Sequence, residues 1–143
     1  MHIELKRALV SVDTVKAILD RSEDFVLALI EAGKLRFAFN LSRRDCHRRL
    51  LRILSLSVHD YVTGRDSQPG NVGDAVRYAL PGSSPEITSA WLARHLNTSH
   101  SHVHGLLREG SLHEVKVGAR LKTHDRIIHR PSAINWLTQR RCC

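Results

Sequence analysis

The amino-acid sequence repeats itself after a shift of 77 residues, and this internal repeat limits the folds open to the chain. The shared positions are those where a small helical fold needs apolar, capping and turn residues. We therefore predict a first repeat over residues 1–64, a linker over residues 65–85 rich in Gly and Pro, and a second repeat over residues 86–143. The identical pairs include Leu19 and Leu96, Ser22 and Ser99, Val26 and Val103, Leu29 and Leu106, Gly33 and Gly110, and Leu35 and Leu112.

The second repeat has the sequence pattern of two short helices, a two-stranded wing and a closing helix. Thr88 and Ser99 are good N-cap residues, and Gly110 is typical of the position after a helix. Alternating apolar and polar residues after Gly110 predict a strand, which a basic turn joins to a second strand. The predicted elements are helices over residues 89–96 and 100–109, strands over residues 112–117 and 126–129, and a closing helix from Pro131.

The first repeat follows the same plan, with Ser11 and Ser22 as N-caps and Gly33 as the helix-ending glycine. We predict its helices to end at Leu19 and Gly33, its strands to cover residues 35–41 and 50–54, and its last helix to cover residues 56–62. A short helix within residues 72–80 of the linker is compatible with the apolar residues there. The expected fold is mainly α with small β wings (α+β), in the form of tandem winged helix-turn-helix domains.

The second repeat resembles the excisionase and MerR-type winged helix-turn-helix family over residues 87–141. The matching residues are Thr88, Leu92, Ala93, Leu96, Ser99, Val103, Leu106, Arg108, Glu109, Gly110, Leu112, Gly118, Ser132, Trp136 and Leu137. The first repeat resembles the same module through Leu19, Ser22, Val26, Leu29, Ile30, Glu31, Gly33 and Leu35. The resemblance implies DNA binding, with the second helix in the major groove and the wing against the backbone or minor groove. The resemblance does not extend to the long dimerisation helix and effector domain of MerR-type activators, so we do not expect metal- or drug-sensing activation.

Imidazole, hydroxyl and guanidinium groups near the start of the second helix are suited to base edges and phosphates. Helix N-termini and basic wing residues suit the phosphate backbone. Gly105 departs from the family, where a long basic or polar side chain is common. The predicted DNA-binding residues are Thr88, Ser99, His100, Ser101, His102, His104, Arg108, Lys116, Arg120, Lys122 and Arg126 in the second repeat, and Arg43, Arg44 and Arg48 in the first. The arginines of the first repeat are equally well explained as a solvated turn.

The two repeats differ in charge and in the chemistry of their second helices. Residues 87–143 contain nine Lys and Arg against three Asp and Glu, whereas residues 1–64 contain eleven against eight. At the positions that would face DNA, the first repeat has two carboxylates and two apolar side chains, which favour a protein partner. The predicted protein-contact residues are Glu23, Asp24, Phe25 and Leu27.

Other functions find little support in the sequence. His100 and His104 lie one helical turn apart, but a zinc site needs three or four ligands, so we predict no metal and no cofactor. No phosphate-binding glycine loop or hydrolase motif occurs, so we predict no catalytic residue and no enzyme. Trp91 and Trp136 are more simply core or inter-repeat residues than platforms for bases.

Composition is compatible with an intracellular protein that binds a polyanion. The formal net charge is +8, and the three cysteines (Cys46, Cys142 and Cys143) form no disulfide framework. No apolar run long enough for a membrane span or a secretory signal occurs, so we expect no membrane partner and a cytoplasmic, nucleoid-associated location.

The combined expectation is a sequence-specific protein that binds double-stranded DNA. Two roles fit: a transcription regulator, or an excisionase-like directionality factor of a phage or integrative element. The alternative is an adaptor whose first repeat recruits an integrase or a polymerase subunit. The first repeat is also the predicted surface for a homo-oligomer or another protein partner.

Overall fold

A computed structural model of the chain describes residues 6–44, 46–115 and 126–142. These residues form seven helices and six short strands, which confirms the predicted α+β class. The helices are α1 (Val12–Leu19), α2 (Glu23–Glu31), α3 (Ser55–Thr63), α4 (Val72–Ala79), α5 (Ser89–Leu96), α6 (His100–Arg108) and α7 (Arg130–Gln139). The strands are β1 (Leu9–Ser11), β2 (Ala38–Asn40), β3 (Leu51–Leu54), β4 (Glu86–Thr88), β5 (Ile127–His129) and β6 (Arg141–Cys142). No helix in the described ranges is long and apolar enough to span a bilayer.

The order of elements repeats with the sequence. A strand, two helices, and a closing helix that directly follows a further strand occur first as β1 to α3 and again from β4 to α7. The predicted strand over residues 112–117 is represented by an isolated bridge between Glu114 and Ile128, and its residues 116 and 117 lie outside the described ranges. The three-residue strands β1 and β4, which pair with β3 and β5, were not expected from the sequence.

Helix caps explain why the helices begin and end where the repeat places them. The side chains of Ser11, Ser22, Thr88 and Ser99 all accept a backbone N–H from the first turn, as predicted. A cap of this kind typically stabilises its helix by about 1 kcal/mol. Asp20 and Asn97 take the left-handed conformation at the turns between paired helices, with φ of 52° and 55°. Short polar side chains are the non-glycine residues that tolerate this conformation best.

The linker of the sequence analysis contributes a helix to a core that both repeats share. Ala75, Val76 and Ala79 of α4 are fully buried, and α4 packs against α7. The same core contains Phe37 and Phe39 from the first repeat, together with apolar side chains of α5 and α6. A second, smaller core lies within the first repeat. The domain boundaries at residues 64 and 86 remain predictions that rest on the sequence repeat. The apolar core extends across both of these boundaries.

Strand β6 joins the end of the second repeat to the sheet of the first. The four-stranded sheet has the order β1-β3-β2-β6, in which Phe39 pairs with Arg141 and Ala38 pairs with Cys142. The guanidinium of Arg141 also lies 4.8 Å from the centre of the Phe37 ring. The two repeats are therefore connected by backbone hydrogen bonds as well as by apolar packing.

Arg130 holds the end of the linker against the second repeat. Its side chain is only 7% exposed, and its guanidinium donates to the carbonyl oxygens of Leu80, Pro81 and Ser84. The same group lies 5.0 Å from the centre of the Trp91 ring. Trp91 and Trp136 both pack on the shared core, in agreement with the core interpretation of these two residues.

Candidate nucleic-acid interface

Helix α6 has one buried face and one face that is open to solvent or covered by the first repeat. Val103 and Leu106 are fully buried in the core, while Ser101 and Arg108 on the opposite side are exposed. Along the helix axis Gly105 lies between Ser101 and Arg108, and at 100° per residue all three positions fall within about 60° of one another on this outer face. We call the line of Ser101, Gly105 and Arg108 the outer stripe of α6.

His100 is used inside the second repeat, where it connects the starts of two helices. Its Nε2 lies 2.6 Å from the Oγ of Ser89, a fully buried residue at the first position of α5. The same Oγ accepts the backbone N–H of Arg126 at 2.9 Å. The rings of His100 and His104 lie 4.4 Å apart and are both half-buried. These two histidines therefore lie beside the outer stripe, on the edge that faces Ser89 at the start of α5.

His102 lies on the opposite edge of α6 and contacts the first repeat. Its Nε2 lies 2.6 Å from the carbonyl oxygen of Leu41, at the end of the strand β2. A carbonyl only accepts, so Nε2 carries the proton of this bond. His102 was predicted to face a groove of DNA, and the structure shows that its Nε2 is engaged by the protein itself.

The loop after β2 lies along α6 and places an arginine over Gly105. A Cβ built on Gly105 would lie 2.8 Å from both Cδ and Nη1 of Arg43, closer than real Cβ contacts occur. Gly105 is buried by this side chain although it belongs to the outer face of its helix. The Arg43 side chain thus occupies the space that a side chain at position 105 would take.

Two more arginines of the first repeat contact the second repeat, one at Glu109 after α6 and one at the turn between α5 and α6. The backbone N–H of Arg44 donates to the Oε2 of Glu109 at 3.2 Å, and its exposed guanidinium lies 3.9 Å from the same oxygen. Arg52 donates from Nε to the carbonyl oxygen of Asn97 at 2.8 Å. Burial lowers the pKa of the Arg52 guanidinium from its ordinary value. Arg44 and Arg52 therefore both contact the second repeat, although the Arg44 side chain remains largely exposed.

The remaining predicted DNA-binding residues are distributed around this surface. Thr88 is half-buried as the N-cap of α5, and Ser99 is exposed as the N-cap of α6. Arg126 is exposed and forms an ion pair of 3.1 Å with Glu114. Arg48 is exposed and lines a cleft on the first repeat. The predicted wing contacts Lys116, Arg120 and Lys122 lie outside the described residues.

Helix α2 of the first repeat presents a different surface. Glu23 and Asp24 are exposed in its first turn, and Phe25 is 36% exposed under the guanidinium of Arg21, 5.2 Å from the ring centre. Leu27 does not join an exposed apolar patch, because it is partly buried against the core of the first repeat. The apolar part of this surface is therefore Phe25 without Leu27.

Sequence reasoning placed Arg43 only as a wing arginine and missed its contact with α6. The one signal was Gly105, a helix-interior glycine at a position where the resemblance implies a long side chain. No spacing rule connects residues 62 positions apart, so only the fold brings them together. Among residues 6–44, 46–115 and 126–142, no group of three or more His, Cys, Asp or Glu side chains is placed to share a metal ion.

Comparison with known proteins adds no relative to this description. No family model matches the chain, and neither the curated proteins nor the solved structures contain a match.

Proposed function

We propose that the chain is a sequence-specific protein that binds double-stranded DNA through the outer stripe of α6. The supporting observation is that the guanidinium groups of Arg43, Arg44 and Arg108 lie on or beside this stripe. The nearby carboxylate of Glu109 is largely covered, with its side chain only 17% exposed, and it accepts bonds from Arg44 and Ser111. The stripe therefore presents positive charge without an exposed carboxylate on the same helix face.

In this proposal the two repeats form tandem winged helix-turn-helix domains of the excisionase and MerR type. An α-helix fits into the major groove of B-form DNA. In that groove, each base pair shows a distinct set of hydrogen-bond donors and acceptors. Ser101 and Arg108 are the side chains of α6 that reach base edges, and Arg44 neutralises phosphate. The N-terminus of α6, capped by the exposed Ser99, is the helix end that we assign to phosphate oxygens. In the first turn of α5, Ser89 and Trp91 already donate their N–H groups to Arg126 and Thr88.

His100 and His102 take positioning roles in this proposal. His100 fixes one edge of the first turn of α6 to Ser89, and His102 fixes the opposite edge of that turn to Leu41. A recognition helix held at both edges is pre-organised, which reduces the ordering cost when DNA binds. The wing residues Arg120, Lys122 and Lys116 remain candidates for backbone or minor-groove contacts on the basis of the sequence.

Two biological roles are compatible with such a protein: transcription regulation, and direction of phage or element excision. In either role, a small protein occupies a specific DNA site and there blocks polymerase, bends the DNA or recruits a protein partner. A location on the nucleoid follows from the same proposal.

Selection of bound sequences from a random duplex pool at near-physiological salt tests the proposal. We expect one enriched motif, with affinity that falls steeply as salt rises because bound phosphates release counterions. Arg108→Ala should reduce affinity and change the preferred sequence. Arg77→Ala is the matched control, since Arg77 is an exposed arginine of α4 paired with Asp74 and lies outside the proposed interface. Retention of no duplex by the wild-type chain would contradict the proposal.

A protein-binding adaptor is the second candidate function, and the exposed ring of Phe25 beside the acidic start of α2 favours it. A second copy or another protein with a basic, apolar surface would suit this site. Phe25→Ser should then weaken self-association in sedimentation or capture of an integrase-like partner, while DNA retention stays unchanged. If the wild-type chain retains no DNA, this adaptor function becomes the leading hypothesis.

A further inference from the structure

We propose that Arg43 acts as a DNA-reading residue of the second repeat, supplied by the first repeat to the bare position at Gly105. This inference rests on the proposed DNA-binding function and names a specificity-determining residue for it. The recognition surface would then be a composite of both repeats, with the helix from one and a guanidinium from the other.

Position 105 is central to the outer stripe. It follows Ser101 by four residues and precedes Arg108 by three, so the three positions lie side by side on one helix face. Gly105 offers no side chain at this central place. A DNA contact at this position therefore comes from another residue. The Arg43 side chain occupies the space next to Gly105.

The contact with Arg43 gives a physical reason for glycine in the middle of α6. Glycine in a helix interior costs about 0.5–1 kcal/mol relative to alanine. A methyl group at position 105 would lie 2.8 Å from Cδ and Nη1 of Arg43 and would displace this side chain. The glycine therefore keeps the arginine close to the helix.

The backbone that presents Arg43 is held in place by several hydrogen bonds. Arg140 donates from Nε to the carbonyl oxygen of Asn40 at 2.7 Å and from one terminal nitrogen to that of Ser42 at 3.2 Å. The side-chain oxygen of Asn40 accepts the backbone N–H of Ser42 at 3.1 Å, and Leu41 accepts from His102. A guanidinium on such a fixed backbone is suited to directional contacts with a base.

Arg43 differs from its neighbouring arginines in how its charged group is used. The guanidinium of Arg52 donates to backbone carbonyls, and that of Arg44 lies beside Glu109. Within the described residues, the structure shows no ion pair or hydrogen bond from the Arg43 guanidinium. An arginine in this position has its five N–H donors ready for a ligand, and guanine O6 and N7 are the acceptors that match its fork best.

The test repeats the duplex selection with Arg43→Ala and Arg43→Lys, and follows binding of random and enriched duplexes of about 20 base pairs. We expect Arg43→Ala to bind the enriched duplex about tenfold or more weakly and to lose a guanine preference at one position of the motif. Arg43→Lys should keep the salt dependence and lose the same preference, because a lysine lacks the bidentate fork. Arg48→Ala, the same charge change in the same loop, should weaken all duplexes alike without changing the motif.

A double variant tests the composite directly. Arg43→Ala combined with Gly105→Arg moves the guanidinium from the loop to the helix, and we expect it to recover part of the lost guanine preference. Gly105→Ala alone should leave stability unchanged or slightly raised and should reduce the preference, because the new methyl group displaces Arg43.

The outcomes separate this inference from the proposed function. If the wild type and Arg43→Ala enrich the same motif with equal affinity, Arg43 is not a reader, although the chain still binds DNA. Tighter binding by Arg43→Ala would show that Arg43 covers the helix, which also overturns the inference. Retention of duplexes without enrichment at any position would overturn sequence reading by Arg43, and retention of no duplex by the wild type would overturn the DNA-binding function itself.

Discussion

The Nε2 of His102 lies 2.6 Å from the carbonyl oxygen of Leu41, so the second helix of one repeat is hydrogen-bonded to the loop that follows a strand of the other. This bond lies beside the contact between Arg43 and Gly105. It therefore bears both on the stability of the chain and on the position of the arginine that we propose to contact DNA.

Replacement of His102 by alanine should destabilise the chain by about 1 kcal/mol, since a half-buried hydrogen bond is lost and a carbonyl is left without its partner. The midpoint of urea unfolding measures this change. Ser101→Ala is the control, because Ser101 is the exposed neighbour on the same helix. Equal midpoints for the two variants would show that the bond to Leu41 contributes nothing to stability.

Arg130→Met should lower the free energy of unfolding by about 2–3 kcal/mol, which is more than the loss expected for His102→Ala. Methionine keeps much of the length and apolar character of the arginine side chain. The substitution removes the donors for the carbonyl oxygens of Leu80, Pro81 and Ser84, and buried acceptors without partners are costly. Urea unfolding followed by circular dichroism gives the value. Arg126→Ala, which removes an exposed ion pair with Glu114, should cost less than about 1 kcal/mol. A loss at Arg130 no larger than this control would contradict a clamping role.

Unfolding of the two repeats should be a single transition, because one core contains side chains of both. The chain has two tryptophans, Trp91 and Trp136, and both belong to the second repeat. Tryptophan fluorescence therefore reports on that repeat, whereas circular dichroism reports on all helices. Coincident urea curves are expected. Two separated midpoints would instead support two independently folded domains joined by a linker.

Arg140→Met should loosen the backbone that carries Arg43, because two carbonyl oxygens of residues 40–42 lose their donor. Amide hydrogen exchange should become faster at Ser42 and Leu50, whose N–H groups are bonded to the side chain of Asn40. Exchange in α2, whose Val26 and Ile30 pack in the smaller core of the first repeat, should stay unchanged and provides the internal control. Unaltered exchange at Ser42 would show that Arg140 is not what fixes this loop.

The sequence by itself determined the local structure of this protein. Ser22 and Ser99 are N-caps whose hydroxyl oxygens accept backbone N–H groups of the first helical turn. Gly33 and Gly110 follow the same two helices with φ of 75° and 82°, a backbone conformation that glycine adopts readily. The α+β class and the repeated element order follow from the same short-range signals. The strands β1, β4 and β6 were missed because strands of two or three residues carry too little hydrophobic pattern of their own.

Only the tertiary structure decided how the two repeats meet, and with it the composition of the candidate site. His102 and Arg43 are polar residues that the sequence places equally well in solvent, at DNA or against protein. Their partners, Leu41 and Gly105, are about 60 residues away along the chain, and both contacts join the loop after β2 to α6. Caps and turns depend on neighbours in sequence, whereas a surface built from two repeats depends on the relative placement that their shared core imposes.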